Sequence, residues 1–268
     1  MSTQWALGNP SEHGATPVVS GHGLEALLGA TGGHPFVRWE VTDELASTWW
    51  QAAGAVAFQR TRKSVRRTVN VLGDDDGVTA LIEHLPQIAT TIAPRQRAFS
   101  VSVPQHLEPR LRERYRVLDG GDWEWFHTSA APEEHPSHES VRPIDDVTRA
   151  DEVRAFLEVH SPTADTEPGQ GERWFAVEEP DGSFAAVAAW GTTRGGAPHL
   201  SSVAVDTRLR GRGLGRTIVG AVTRLAVAET GLCTLGMYSH NEVARSLYLS
   251  LGYDPLCAWS SRPVVLGS

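Results

Sequence analysis

The stretch RLRGRGLG, residues 208 to 215, stands between a β-prone run, HLSSVAV (199–205), and a run in which Leu214, Ile218, Val222 and Leu225 recur every three or four positions. Strand, glycine-rich turn and helix in that order aim unpaired backbone N–H groups, and the positive end of a helix dipole, at one spot. Glycine has no Cβ to keep a ligand off the backbone and tolerates positive φ. Arg208, Arg210, Arg212 and Arg216 add four cations within nine positions. The turn is predicted to hold a phosphate, so the chain must fold with a strand ending, and a helix beginning, at a ligand. The helix is expected over Gly213–Thr230, stopped by Gly231.

Two phosphate-binding templates fail here. The P-loop requires Gly-Lys-Ser/Thr, and there is no lysine in this turn. The dinucleotide fingerprint requires G-x-G-x-x-G, whereas Gly211, Gly213 and Gly215 read G-x-G-x-G with no acidic residue about 20 positions on.

Around the turn the C-terminal half reads as a mixed α/β sheet. A short strand and an Asp145/Asp146 cap precede a helix with Val147, Val153, Phe156, Leu157 and His160 at helical spacing. RWFAVEE (173–179) and SFAAVAAW (183–190), joined by Pro180-Asp181-Gly182, predict an antiparallel hairpin. CTLGMYS (233–239) is a strand, and Asn241 to Leu251 a helix closed by Gly252. Two short strands follow, around Tyr253 and within AWSSRPVVL. The N-terminal half repeats part of this order: strand 65–71, helix 77–85, strand 97–103, helix 104–115 and strand 122–128. Its equivalent turn carries Asp74, Asp75 and Asp76, which would repel a phosphate.

SAAPEEHPSHES (129–140) is polar, carries proline and shows no apolar period, as linkers do. It divides the chain into an N-terminal unit, 1–130, and a C-terminal unit, 139–268. His135 and His138 within it lack further ligands at a metal-binding spacing and are expected to be solvated. Cys233 and Cys257 are too few for a disulfide framework and are expected to be buried and inert. With 24 basic and 32 acidic residues the chain is not a nucleic-acid binder, and no apolar run reaches the roughly 20 residues a membrane span needs. The N-terminus shows no charged and apolar leader pattern, so a cytoplasmic protein is expected, and an oligomer is open.

Arg210-Gly211-Arg212-Gly213-Leu214-Gly215 resembles the R/Q-x-x-G-x-G/A pyrophosphate loop of the GNAT superfamily of N-acetyltransferases. Asn241-Glu-Val-Ala244-Arg-Ser-Leu247-Tyr248-Leu-Ser-Leu251-Gly252-Tyr253 is similar to that superfamily's N-x-x-A-x-x-L-Y-x-x-L-G-F/Y segment. The resemblance covers residues 139–268, and residues 36–128 look like a degenerate copy without the loop. It implies a GNAT fold, doubled in tandem, that binds acetyl-CoA as cosubstrate and needs no metal. The pyrophosphate would lie on the amides of Leu209 to Arg216 and the pantetheine arm along Val203, Ala204 and Val205.

The resemblance makes Tyr248 the acid that protonates the departing sulfur and Asn241 a cofactor contact. Helical geometry puts these two within about 20° of one another on one face. Acetyl transfer to an amine also needs a base and a donor for the growing oxyanion. The donor is expected to be a backbone N–H near Val203. HLSSVAV lacks the glutamate that superfamily members often carry, so His199 is the candidate base; it is expected to share a strand face with Ser201, Val203 and Val205. His240, Glu172, Glu178 or a water chain are alternatives. Trp174, Trp190, Phe175 and Phe184 are expected in the core, with one or two lining an acceptor pocket, and Asp165 and Glu167 are expected to be solvated, the alternative being that they receive a cationic amine. The expected activity is acetyl transfer from acetyl-CoA to a primary amine, small molecule or peptide. The alternative is a non-catalytic acyl-CoA sensor or scaffold.

Overall fold

The computed structural model describes residues 16–61, 67–93 and 98–266; Val65, Arg66 and Arg97 of the expected strands lie outside them. The N-terminal half contains β1 (Val19–Gly21), α1 (Leu24–Ala30), α2 (Pro35–Glu40), β2 (Trp49–Ala52), β3 (Ala55–Thr61), β4 (Arg67–Gly73), α3 (Asp75–Glu83), α4 (Leu85–Ile92), β5 (Ala98–Pro104), α5 (Glu108–Arg114), β6 (Arg116–Val117) and β7 (Gly121–Thr128). The C-terminal half contains β8 (Arg142–Ile144), α6 (Ala150–His160), β9 (Arg173–Glu178), β10 (Phe184–Thr192), β11 (Pro198–Val205), α7 (Leu214–Thr230), β12 (Cys233–Tyr238), α8 (Glu242–Ser250) and β13 (Asp254–Val265). Among the described residues no helix is long and apolar enough to cross a membrane.

All the strands join one mixed sheet in the order β1-β2-β3-β4-β5-β13-β7-β12-β11-β10-β9-β8, with β6 beside β13. The last strand of each half lies among the strands of the other. β7 pairs antiparallel with β12, and β13 pairs with both β5 and β7. The two short strands expected after Tyr253 are therefore one twelve-residue strand. Pro263 does not end it, and residues 259–265 pair with β5. Phe36 fixes this seam, its ring centroid 5.2 Å from Trp259, 5.4 Å from Trp125 and 6.2 Å from Trp123.

The halves also meet where the β10–β11 turn docks on α2. The Gly195 N–H donates to the Trp39 carbonyl at 3.0 Å, and a Cβ at Gly195 would come within 2.6 Å of that oxygen. Helices α1 and α2 and strands β2 and β3 are additions to the sequence reading, because their apolar residues follow no long period. The helix expected from Val147 begins at Ala150 instead: Asp145 accepts the N–H groups of Val147 and Thr148 in a tight turn, leaving Val147 exposed.

The connecting segment is largely exposed, His135 included, as expected, but Ser137 and His138 pack against α7. Residues 136–140 form a 3₁₀ turn, Ser137 Oγ lies 2.9 Å from Thr217 Oγ1, and His138 Nε2 would be 2.7 Å from a Cβ at Gly220. Burial, more than the neighbouring Arg224 cation, holds the His138 ring below the ordinary histidine range.

Candidate active site

The geometry of the site starts with an irregularity in β11. Its register with β10 runs Gly191↔His199, Trp190↔Leu200 and Ala189↔Ser201, then jumps to Val187↔Ala204. Ser202 and Val203 form the bulge, with Ser202 at φ 49°, where a side chain costs roughly 1–3 kcal/mol. Thr166 secures it: its N–H donates to Ser202 Oγ at 3.2 Å and its hydroxyl lies 2.9 Å from Ser201 Oγ. The extra residue reverses the alternation, so the expected shared face does not exist. His199 and Ser201 share a face with Ala204, while Val203 and Val205 pack on the opposite side with Leu200, against α7.

On its other side β11 pairs with β12 only at His199↔Thr234 and Leu200↔Leu235. From Ser201 to Val205 that edge has no partner strand among the described residues, so the two parallel strands open as a wedge. The wedge runs towards the 3₁₀ turn Thr207–Leu209 and the glycine turn. Gly211 and Gly213 adopt φ 80° and 84°, the left-handed region, and no heavy atom lies within 4 Å of a Cβ built on either. Gly213 is the N-cap of α7 and carries no side-chain cap, so the first N–H groups, from Leu214 on, are left for a ligand. Gly215 differs from these two: a Cβ there would make ordinary contact with Leu247 of α8 at 3.5 Å, so this side of the turn is packed rather than open. An anionic diphosphate fits this open cradle.

The arginines are mostly committed to the frame. Arg208 pairs with Asp206 at 2.6 Å and holds that carboxyl at about 2. Arg210 donates to the His160 carbonyl at 2.8 Å and to the Val205 carbonyl at 3.4 Å, and Arg216 donates to Ser250 Oγ at 2.6 Å. Arg212 is exposed and makes no such bond among the described residues. Backbone amides therefore form the cradle, with Arg212 as the available guanidinium.

Among its described residues the N-terminal half has no such opening. Its turn after β4 is pressed onto the β2–β3 turn: a Cβ at Gly73 would lie 2.3 Å from the Gly54 carbonyl, and one at Gly77 2.2 Å from the Ala52 carbonyl.

Tyr248 is buried beneath the wedge, 6.1 Å from Phe126 and 5.9 Å from Tyr253 by ring centroids. Burial, with a smaller effect from Cys233, pushes its phenol up to about 12, so it carries its proton at any neutral pH. Its hydroxyl makes no hydrogen bond among the described residues, and the residue lines a cavity of about 470 Å³ that also contacts His199, Val203 and Asn241. Asn241 caps α8 by accepting the Ala244 N–H at 3.1 Å, a structural role that the sequence did not separate from ligand contact. His199 Nδ1 lies 3.0 Å from Thr234 Oγ1, which donates its own proton to the Pro198 carbonyl at 2.7 Å. With its proton on the Pro198 carbonyl, that hydroxyl accepts from Nδ1–H, the tautomer in which Nε2 is the basic nitrogen.

Other expectations for the acceptor side are met in part. Trp174, Trp190, Phe175 and Phe184 are all core, and the tryptophans lining the cavity are Trp123 and Trp125. Asp165 lines it, but Glu167 faces Arg154 at 3.6 Å and Glu178 is bound to Arg149. His240 is exposed and stacked on Tyr238, outside the cavity lining. Glu172 lies over Gly191, its Cγ 2.9 Å from where a Cβ would stand, beside His199 across the ladder. A whole wall of the cavity, contributed by Glu40, Arg60, Ser102 and Ser261, is absent from the sequence reading. The large sequence separation between these residues left no local signal for it.

The sequence profile of the acetyltransferase (GNAT) family matches residues 123–253, from β7 to the start of β13. Among solved structures, a GCN5-related N-acetyltransferase from Kribbella flavida is similar at 19% identity, covering 91% of this chain and 97% of that one, with a TM-score of 0.51. A GNAT-family acetyltransferase from Colwellia psychrerythraea is similar at 10% identity over 93% of this chain and 100% of that one, TM-score 0.51. A Drosophila protein is similar at 13% identity over 82% of this chain and 79% of that one, TM-score 0.54. At these identities the likeness is one of fold. No curated protein matches the chain.

Proposed function

We propose, on the premise that residues 123–253 belong to the acetyltransferase (GNAT) family, that the chain moves an acetyl group from acetyl-CoA to a primary amine by direct attack in a ternary complex. The observation that carries this reading is the unpaired β11 edge running into the left-handed Gly213 turn, with the Tyr248 phenol beneath. The diphosphate would accept from amides between Leu209 and Arg216, with Arg212 adding charge, and the pantetheine amides would pair with Val203, Ala204 and Val205 as another strand would. The bulge leaves the Val203 N–H outside the β10 ladder, suited to the carbonyl oxygen as negative charge grows. The Asn241 amide, anchored through its cap bond, would contact the cofactor.

The amine must be neutral to attack. The acceptor nitrogen arrives as an ammonium and loses two protons. His199 Nε2 takes the first to free the lone pair, the nitrogen adds to the thioester carbon, the carbon–sulfur bond breaks with the sulfur receiving the Tyr248 proton, and the second nitrogen proton passes to the Tyr248 oxygen as the amide forms. The products are an amide and free coenzyme A. We also propose that 1–130 is a degenerate copy of the 139–268 unit, the two exchanging final strands. Its pressed-down aspartate turn supports this reading.

The absence of a glutamate from β11 favours a second reading, an acyl-CoA sensor without turnover. Following thiol release from acetyl-CoA across a panel of amines separates the two. Release with at least one amine supports transfer, and tight binding without release under every amine supports the sensor.

A further inference from the structure

The acceptor chamber is bounded on its far side by the N-terminal half, and among the described residues of that wall one cation, Arg60, lines the cavity. Arg60 of β3 lines the cavity with its side chain 14% exposed. Its Nε and Nη2 donate to Glu40 Oε2 at 2.9 and 2.8 Å, and Glu40 Oε1 accepts from Trp125 Nε1 at 2.9 Å. Both carboxylate oxygens are thus engaged within the wall. The guanidinium carbon also sits 4.9 Å from the Trp123 ring centroid and 5.5 Å from that of Phe36. Clamped by a carboxylate and lying on an indole, the guanidinium cannot swing away. Three of its five N–H groups are not used by Glu40.

Beside it stands a pair of hydroxyls. Trp123 Nε1 donates to Ser261 Oγ at 2.7 Å, and Ser261 Oγ lies 2.6 Å from Ser102 Oγ. These two residues line the same cavity, while Asp165 brings negative charge to it from the C-terminal half. A fixed, largely desolvated guanidinium with donors to spare recognises a carboxylate better than any neutral group, because its planar fork matches two oxygens at once.

We infer that Arg60, oriented by Glu40 and Trp123, is a specificity-determining residue that binds a carboxylate on the acceptor, so that the substrate class is an amine bearing a carboxylate. The inference rests on the reading of this cavity as the acceptor chamber. It gives the N-terminal half a role, holding the non-reacting end of the substrate.

The probes are ω-amino acids from glycine to 6-aminohexanoate, each set against the n-alkylamine of equal carbon number. With saturating acetyl-CoA, kcat/KM should favour the amino acid at least tenfold at one chain length. Arg60→Lys, which keeps the charge but not the fork, should reduce that preference about tenfold with acetyl-CoA affinity unchanged. The paired variant Glu40→Gln, Arg60→Gln leaves no lone buried charge and should abolish it. Binding of the same probes, followed by tryptophan fluorescence, reads the inference without turnover. Arg60-dependent carboxylate binding without thiol release under any amine would retain the carboxylate site and remove the transfer reading. Alkylamines that equal the amino acids at every length, in rate or in binding, or a preference that survives both variants, would overturn it.

Discussion

His199 and Thr234 stand opposite one another in the two-residue stretch where β11 and β12 pair, and the threonine hydroxyl lies 3.0 Å from Nδ1, placed to hold the ring with Nε2 as the basic nitrogen. His199→Ala should lower kcat by about 10²-fold, within the range of a general base. Thr234→Val should lower it less, leaving acetyl-CoA affinity unchanged, and cost about 1 kcal/mol of stability through the lost bond to Pro198. Thr234→Ser keeps the hydroxyl and should restore most of the rate. Wild-type kcat in Thr234→Val would remove the orienting role.

Tyr248→Phe should lower kcat by about 10²-fold or more while acetyl-CoA affinity stays within about threefold. The phenol titrates near 12 rather than 10.0, so it remains a proton donor well into alkaline conditions. Accordingly, the ratio of wild-type to Tyr248→Phe kcat should be constant between about pH 7 and about pH 10.5. A ratio that collapses near pH 10 would place an ordinary, solvated phenol at this position. The sign for stability follows from the raised value. Tyr248 favours the fold below pH 10, and that contribution is lost as the pH rises towards 12.

Gly213→Glu tests the cradle. The open space around Gly213 accommodates a side chain, so the substitution costs only the roughly 1–2 kcal/mol of a left-handed residue. Acetyl-CoA affinity, measured by calorimetry, should fall more than a hundredfold, because a carboxylate would stand where the phosphates bind. Undiminished affinity would show that the diphosphate lies elsewhere.

Asp74, Asp75 and Asp76 can be exchanged for alanine with no change in acetyl-CoA affinity. Asp75 makes an exposed contact with His106 at 2.9 Å, worth at most about 1 kcal/mol, so a small drop in melting temperature is the expected effect. A large loss of affinity would bring the N-terminal half into the cofactor site.

What the sequence disclosed follows from the range of each interaction. The α7 helix, the β9–β10 hairpin and the Gly213 turn depend on neighbours a few residues apart, and periodicity and turn chemistry record them. The Ser202 bulge depends on Thr166, 36 residues away, so strict alternation misassigned the Val203 and Val205 faces. The exchange of β7 and β13 is a matter of strand order, on which local pattern is silent. Arg60 and Glu40 were passed over for the same reason: each is an ordinary charged residue until β3 and α2 bring them together against Trp123 and Trp125.

A crystal structure with a non-hydrolysable acetyl-CoA analogue addresses the central claim most directly. The account predicts the diphosphate on the amides around Gly213, the arm lying along Val203 to Val205 between β11 and β12, and the sulfur-bearing end within hydrogen-bond reach of the Tyr248 hydroxyl. An analogue bound outside that wedge, or seated there with its thioester end remote from Tyr248, would contradict it.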